Sequence, residues 1–186
     1  MTTDQILKDC KDRMEKALDV LRNELKGLRT GRASPALLDA LRVEYYGSPT
    51  PIKQLASVSA PEPQQLVIKP FDANALKDIE KAIRASDLGL APDNDGKVIR
   101  LKIPAMSGEQ RTKMAKKVKE LAENAKVSCR NVRRDANKHV ETAEKDKTMP
   151  EDEAKKAKEK VQDVLKQYEA KADELANAKT KEVMEQ

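Results

Sequence analysis

Prolines divide this chain into stretches that can and cannot form long helices. Eight of the nine prolines lie between residues 35 and 104, and Pro150 is the one outside that interval. Because proline lacks an amide hydrogen and clashes with the preceding helical turn, long helices are confined to the two ends of the chain. We therefore expect a helical domain built from residues 1–30 and 105–186, interrupted by a compact inserted domain at residues 31–104.

Apolar residues recur at steps of three and four in three segments of the flanks, which predicts three amphipathic helices. Thr2 or Thr3 can cap the first helix, Ser107 can cap the second, and Pro150 immediately precedes the third. The short link between the second and third helices favours a discontinuous antiparallel three-helix bundle, with the first helix alongside that pair. A single coiled coil or a string of exposed helices is the structural alternative. The predicted stripes are Leu7, Cys10, Met14, Ala17, Leu21, Leu25 and Leu28; Met114, Val118, Leu121, Ala125, Cys129, Val132, Ala136, Val140 and Ala143; and Ala157, Val161, Val164, Tyr168, Ala172 and Leu175.

The insert shows mostly the short alternating patterns and turn signals of strands. Strands are expected at residues 41–45, 55–59, 65–69 and 97–103, with a turn at residues 46–49. Residues 73–86 carry apolar side chains at helical spacing, with Asp72 as a cap and Gly89 as a stop. The fold class expected for the whole chain is α+β, a three-helix bundle with an inserted small β/α/β domain.

The residue types that enzymes use are sparse in this chain. His139 is the only histidine, no triad surrounds it, and a solvated helical position is the better interpretation. The six glycines form no phosphate-binding loop. Cys10 and Cys129 lie on predicted apolar stripes, which favours free thiols in the core over a disulfide or a metal site. We expect no enzyme activity, no metal and no cofactor.

The hydropathy of the chain gives no sign of a membrane protein. No apolar run approaches the roughly 18 residues that are needed to span a bilayer, and no targeting segment precedes the first helix. We expect a cytoplasmic protein with no membrane partner, although an organellar chain that had lost its transit segment would look the same.

Positive charge is concentrated in one segment. Residues 111–138 contain ten Lys and Arg against three Asp and Glu, whereas the formal charge of the whole chain is only +5. Beyond residue 139, acidic residues outnumber basic ones. A concentrated basic segment on an otherwise mixed surface is typical of a face that binds nucleic acid.

Four polar residues in this segment, Lys126, Arg130, Arg133 and Asn137, follow one another at steps of four, three and four. This spacing places them on one face of the predicted second helix, so they can all meet one partner. Arginine suits phosphate oxygens and base stacking, lysine offers a point charge, and an amide can read a base or ribose edge. A solvated face is the alternative. Asp135 is the only acid between Lys126 and Lys138, so pairing along the helix is expected to leave the charge of this row in place.

Four segments of the chain resemble the signature segments of bacterial and organellar ribosome recycling factors. They begin at Arg29 (Arg-Thr-Gly-Arg-Ala-Ser-Pro), Val43 (Val-Glu-Tyr-Tyr-Gly), Ala85 (Ala-Ser-Asp-Leu-Gly-Leu) and Arg130 (Arg-Asn-Val-Arg-Arg-Asp-Ala-Asn). The segments occur in order and the resemblance covers essentially the whole chain. It implies an L-shaped molecule that acts after termination, when elongation factor G and GTP act with it to split the ribosome into subunits.

The resemblance also implies where such a protein touches the ribosome. Arg130 and Arg133 would contact 23S-type RNA of the large subunit, and Arg133 is the strongest single candidate. Arg29, Gly31 and Arg32 would contribute from the junction. Arg134 matches the same motif but points about 100° away around the helix, so pairing with a nearby acid is the alternative for it.

Two links join the expected domains, and short paired links allow one body to pivot about the other. The predicted hinge residues are Thr30, Gly31, Ala33, Ser34, Pro35, Pro104, Ala105, Met106 and Ser107. A monomer is expected. A helical adaptor or chaperone-like module is the alternative function. The exposed apolar stripes of such a module would make the protein self-associate as its concentration rises. General nucleic-acid packaging is a third, which the localisation of the charge disfavours.

Overall fold

The computed structural model describes residues 1–185, which form two compact units. The first unit consists of Met1–Leu25 and Thr112–Met184. The second contains Lys26–Arg111 together with Glu185. The chain thus leaves a helical unit, builds a mixed unit and returns.

Three long helices run through the first unit: α1 (Thr3–Lys26), α4 (Gly108–Lys145) and α5 (Glu151–Met184). The two predicted caps are confirmed, and each is reciprocal. Thr2 Oγ1 accepts from the amide of Gln5 while Gln5 Oε1 accepts from the amide of Thr2, and Ser107 and Gln110 repeat the exchange. These pairs satisfy amide groups that the first helical turn leaves without a partner.

The helices of the bundle alternate in direction. Lys126, Arg130 and Glu141 of α4 pair with Asp173, Glu169 and Lys158 of α5, so partners run backward along α5 as they run forward along α4. Thr3 Oγ1 donates to Glu153 Oε1 at 2.7 Å, which brings the starts of α1 and α5 together. The predicted antiparallel three-helix bundle is confirmed.

The bundle core contains most of the predicted stripes. Met114 of α4 and Leu175 of α5 are half-buried, and Leu28 lies beyond the end of α1. The buried face of α1 is also shifted. Ile6 and Leu18 are buried, whereas Leu7 and Ala17 of the predicted stripe are half-buried. A helix that packs against two neighbours buries a face wider than a single stripe, and the choice among adjacent apolar residues depends on the orientation of the helix. Cys10 and Cys129 are free thiols with no exposed surface, as predicted.

The strands of the second unit are β1 (Arg42–Tyr45), β2 (Ser48–Pro51), β3 (Ala56–Glu62), β4 (Gln65–Pro70), β5 (Pro92–Asn94) and β6 (Ile99–Lys102), with a helical turn α2 (Ile52–Leu55) and a 3₁₀ turn (Pro35–Leu38). Four of these strands form an antiparallel sheet in the order β3-β4-β6-β5, and β1 and β2 form a separate hairpin. Helix α3 (Ala75–Ala85) packs against β1 and β5, and Tyr45 Oη donates to Asp72 Oδ2 at 2.8 Å, close to the start of α3. Its core contains Leu38, Val43, Leu66, Ile68, Ile79, Ile83, Ile99 and Leu101.

Proline-containing strands account for most differences from the prediction. The predicted turn at residues 46–49 is shorter than expected: Tyr46 and Gly47, both at positive φ, form the turn, and β2 begins at Ser48. Strands β2 and β5 contain prolines and were not predicted; each lies at an edge, where a missing amide costs no ladder bond. Asp72 does not cap α3 as predicted. It accepts from the amide of Asn74 in a turn before the helix.

No helix within residues 1–185 has the length and hydropathy needed to cross a bilayer. Nor do three His, Cys, Asp or Glu side chains of that range come together as metal ligands would.

Candidate nucleic-acid interface

The four residues of the predicted row lie along one face of α4, at its seam with α5. Lys126, Arg130, Arg133 and Asn137 are all half-buried. These side chains are therefore partly packed and partly solvated, and their role as a nucleic-acid face stays a prediction. We call these four residues the α4 row.

The first two members of the α4 row are ion-paired. Lys126 Nζ pairs with Asp173 of α5. Arg130 donates from Nε to Glu169 Oε1 at 3.0 Å and from Nη1 to Glu123 Oε1 at 2.9 Å. The two carboxylates, Glu123 first, raise the pKa of Arg130 above its ordinary value, because their hydrogen bonds favour the charged guanidinium.

The expectation that the whole row stays unneutralised is wrong for these two residues. Asp135 does not reach the row, because it pairs with Arg13 of α1 at 2.8 Å. Two of the three compensating carboxylates, Glu169 and Asp173, lie on α5. They belong to a row on α5 that repeats the spacing of four, three and four, namely Gln162, Lys166, Glu169 and Asp173. The sequence of α4 does not show these α5 partners, but the matching period on α5 is a signal that indicates them.

Arg133 differs from its neighbours in the row. Its Nη1 donates to Oε1 of Gln162 at 3.2 Å, and this amide is its one hydrogen-bond partner within residues 1–185. Its Nε is buried and unpartnered, as is Oδ1 of Asn137 one turn further along. No carboxylate of the described residues therefore compensates the charge of Arg133, and its Nη2 group makes no hydrogen bond among them.

Arg134 lies on the solvent side of α4. Its side chain is exposed and makes no ion pair with any described residue, so the suggested pairing with a nearby acid is not found. Arg134 is consequently a second α4 arginine whose charge is uncompensated.

The remaining predicted contact residues belong to the second unit. Arg29 is exposed and donates from Nη2 to the backbone oxygen of Asp87 at 2.8 Å. Arg32 is also exposed and donates to the backbone oxygen of Glu185 at 3.2 Å. Gly31 between them has a φ of 76°, which glycine adopts without the penalty that a Cβ atom brings. The acceptor of each arginine is a neutral backbone carbonyl group, so these hydrogen bonds do not compensate the positive charges.

Several predicted hinge residues carry local hydrogen bonds. The amide of Ala33 donates to the oxygen of Pro63 at 2.6 Å, and Ser34 Oγ accepts from Ala36 ahead of the 3₁₀ turn. Ser107 is fixed as the cap of α4, whereas Pro104, Ala105 and Met106 lie outside helices and strands. Thr30 is buried.

The long helices and the small antiparallel sheet define a mixed α+β protein. Its candidate site is the α4 row, a basic face of the kind that binds a polyanion. A family model described as Ribosome recycling factor matches residues 21–184, a range that includes all four signature segments. The chain belongs to the ribosome recycling factor family, which is a family of translation factors.

Individual relatives match over nearly the whole chain. The ribosome-recycling factors of Symbiobacterium thermophilum and Nitratidesulfovibrio vulgaris are each 50% identical, covering 98% and 100% of this chain and 99% and 100% of their own. That of Rhodopirellula baltica is 64% identical over 138 residues, or 74% of each chain.

Two solved structures share the fold. A solution structure of the ribosome recycling factor is 42% identical with a TM-score of 0.81, covering 99% of this chain and 98% of its own. The second comes from models of the T. thermophilus ribosome recycling factor and the E. coli elongation factor G bound to the E. coli post-termination complex. It is 44% identical with a TM-score of 0.70, covering 99% of this chain and 100% of its own.

Proposed function

We propose that this protein, together with elongation factor G and GTP, splits the post-termination ribosome into subunits and so releases it from mRNA. Membership of the ribosome recycling factor family supports this proposal. So does the likeness to a factor shown with elongation factor G on a post-termination complex. The protein works as a monomer in the cytoplasm and supplies no hydrolytic chemistry of its own.

The α4 row is the proposed contact with 23S-type RNA of the large subunit. The observation that carries this assignment is Arg133, which is held on the seam by a neutral amide and retains its charge. A guanidinium with open donors suits phosphate oxygens. Arg130, Lys126 and Asn137 flank it in the same row, and Arg29 and Arg32, on either side of Gly31, form the second part of the proposed contact.

The proposed mechanism is a pivot between a domain of residues 1–30 with 105–186 and a domain of residues 31–104. The hydrogen bonds of Ala33, Ser34 and Ser107 hold those residues in local structure. The proposed movement therefore falls mainly on Gly31 and on residues 104–106, with Gly31 as the residue of widest conformational freedom.

Light scattering of post-termination ribosomes tests this function. The protein, elongation factor G and GTP are added together, and then each is omitted in turn. We expect a fall in scattering that requires all three components. Unchanged scattering with the complete set, using elongation factor G and ribosomes of matched origin, would contradict the proposal.

A further inference from the structure

The partner of Arg133 on α5 is an amide, whereas the partners of Lys126 and Arg130 are carboxylates. We propose that Gln162 is a positioning residue, which orients Arg133 without cancelling its charge and thereby leaves Arg133 as the cation of the α4 row that RNA phosphate uses. The inference rests on the proposed contact with ribosomal RNA.

The charges along the seam differ between its two ends. Lys126 and Arg130 together face three carboxylates, those of Asp173, Glu169 and Glu123. A phosphate that approaches this end meets at least as many negative as positive groups. The Lys126 and Arg130 pairs therefore join α4 to α5 and contribute little attraction for a polyanion.

Arg133 lies at the end of the seam where this compensation stops. Oε1 of Gln162 accepts one of the five N–H groups that a guanidinium carries, and no carboxylate within residues 1–185 pairs with it. A neutral acceptor fixes the side chain at a modest energetic cost and leaves the charge in place. A carboxylate at the same position would form a stronger, charge-assisted bond and would compete with phosphate.

The substitution Gln162→Glu makes this single change, because the two side chains are nearly equal in size and shape. We expect Gln162→Glu to weaken binding to isolated large subunits roughly tenfold, the scale of one hydrogen bond to a charged group. The slope of log K against log salt should fall by about one. The Tm should be equal or higher, because an ion pair is gained.

Gln167→Glu is the matched control. Gln167 is exposed on the same helix and makes no hydrogen bond within the described residues, so the variant carries the same change in net charge away from Arg133. We expect it to bind like the original protein. A second variant, Gln162→Met, removes the acceptor without adding charge, so it should weaken binding while keeping the salt slope; it also serves if Gln162→Glu fails to fold.

A double-mutant cycle separates this inference from the proposed contact. In the background of Arg133→Gln, Gln162→Glu should cost no further affinity, since the cation that it neutralises is gone. If Arg133→Gln itself leaves binding unchanged, the proposed RNA contact is wrong. If Arg133→Gln weakens binding but Gln162→Glu matches Gln167→Glu, the contact survives and the role of Gln162 is overturned.

Discussion

Arg13 of α1 donates from Nη2 to Oδ2 of Asp135 of α4 at 2.8 Å. The pair joins two helices of the bundle and holds the Asp135 carboxylate toward α1, although Asp135 lies only two residues from Arg133 of the α4 row in sequence. A hydrogen bond from Arg13 lowers the pKa of Asp135 below its ordinary value of 3.8.

The Arg13 and Asp135 pair predicts an acid dependence of stability. A carboxylate whose pKa is lowered by folding stabilises the folded state fully above its unfolded value, and the contribution disappears as pH falls through the lower folded value. Asp135→Asn should therefore be less stable than the original protein at pH 6, and the difference should shrink as pH falls below 3.8. Urea unfolding over this pH range measures this; a difference of equal size throughout would contradict the assignment.

The two buried thiols predict slow chemistry. Burial raises the pKa of Cys10 to about 11 and raises the pKa of Cys129 as well, so little thiolate forms near neutral pH. We expect both to react with iodoacetamide at pH 8 only after unfolding. Because folding raises these values, their contribution to stability is complete below about pH 9 and declines as pH rises toward 11. Rapid labelling of the folded protein would contradict this.

The core of α1 can be tested with two matched leucines. Leu18 has no exposed surface, whereas Leu7 is half-buried. Leu18→Ala should lower the free energy of unfolding by about 2–5 kcal/mol, because it removes buried methyl groups and leaves a cavity. Leu7→Ala should cost clearly less. Equal losses in chemical denaturation would mean that the predicted stripe, with Leu7 inside, was the right one.

The proposed hinge can be tested with two glycines that share a φ of 76°. An alanine at either position carries a similar conformational penalty, about 1–2 kcal/mol. Gly47 lies in the tip of the hairpin, away from the proposed hinge, and so controls for lost stability. We expect Gly31→Ala, measured at factor concentrations that saturate the large subunit, to slow subunit splitting more than Gly47→Ala does. Equal splitting rates in the two variants would remove Gly31 from the hinge.

Periodicity and capping residues were sufficient to predict the three helices and their arrangement, because these are properties of one segment at a time. The sheet of the insert was predicted less completely. Pro49 and Pro51 lie in β2, and Pro92 lies in β5. A proline fits a strand only where its missing amide faces no partner, as in these edge strands, and the local sequence does not reveal which strands lie at an edge.

Which residues of the α4 row are ion-paired was harder to predict than the position of the row on the helix. Whether the charges of Arg130 and Arg133 are compensated by a carboxylate depends on which residue of α5 faces each of them, and that depends on the register of two helices. Glu169 and Gln162 decide it, and both lie about thirty or more residues away along the chain.

The salt dependence of binding to isolated large subunits tests the central claim most directly, comparing Arg133→Gln with Lys16→Gln. Lys16 is an exposed cation of α1 with no ion pair among residues 1–185, so both variants lose one positive charge. We predict that Arg133→Gln weakens binding roughly tenfold or more and lowers the salt slope by about one, while Lys16→Gln changes neither. Unchanged affinity and slope in Arg133→Gln would contradict the account.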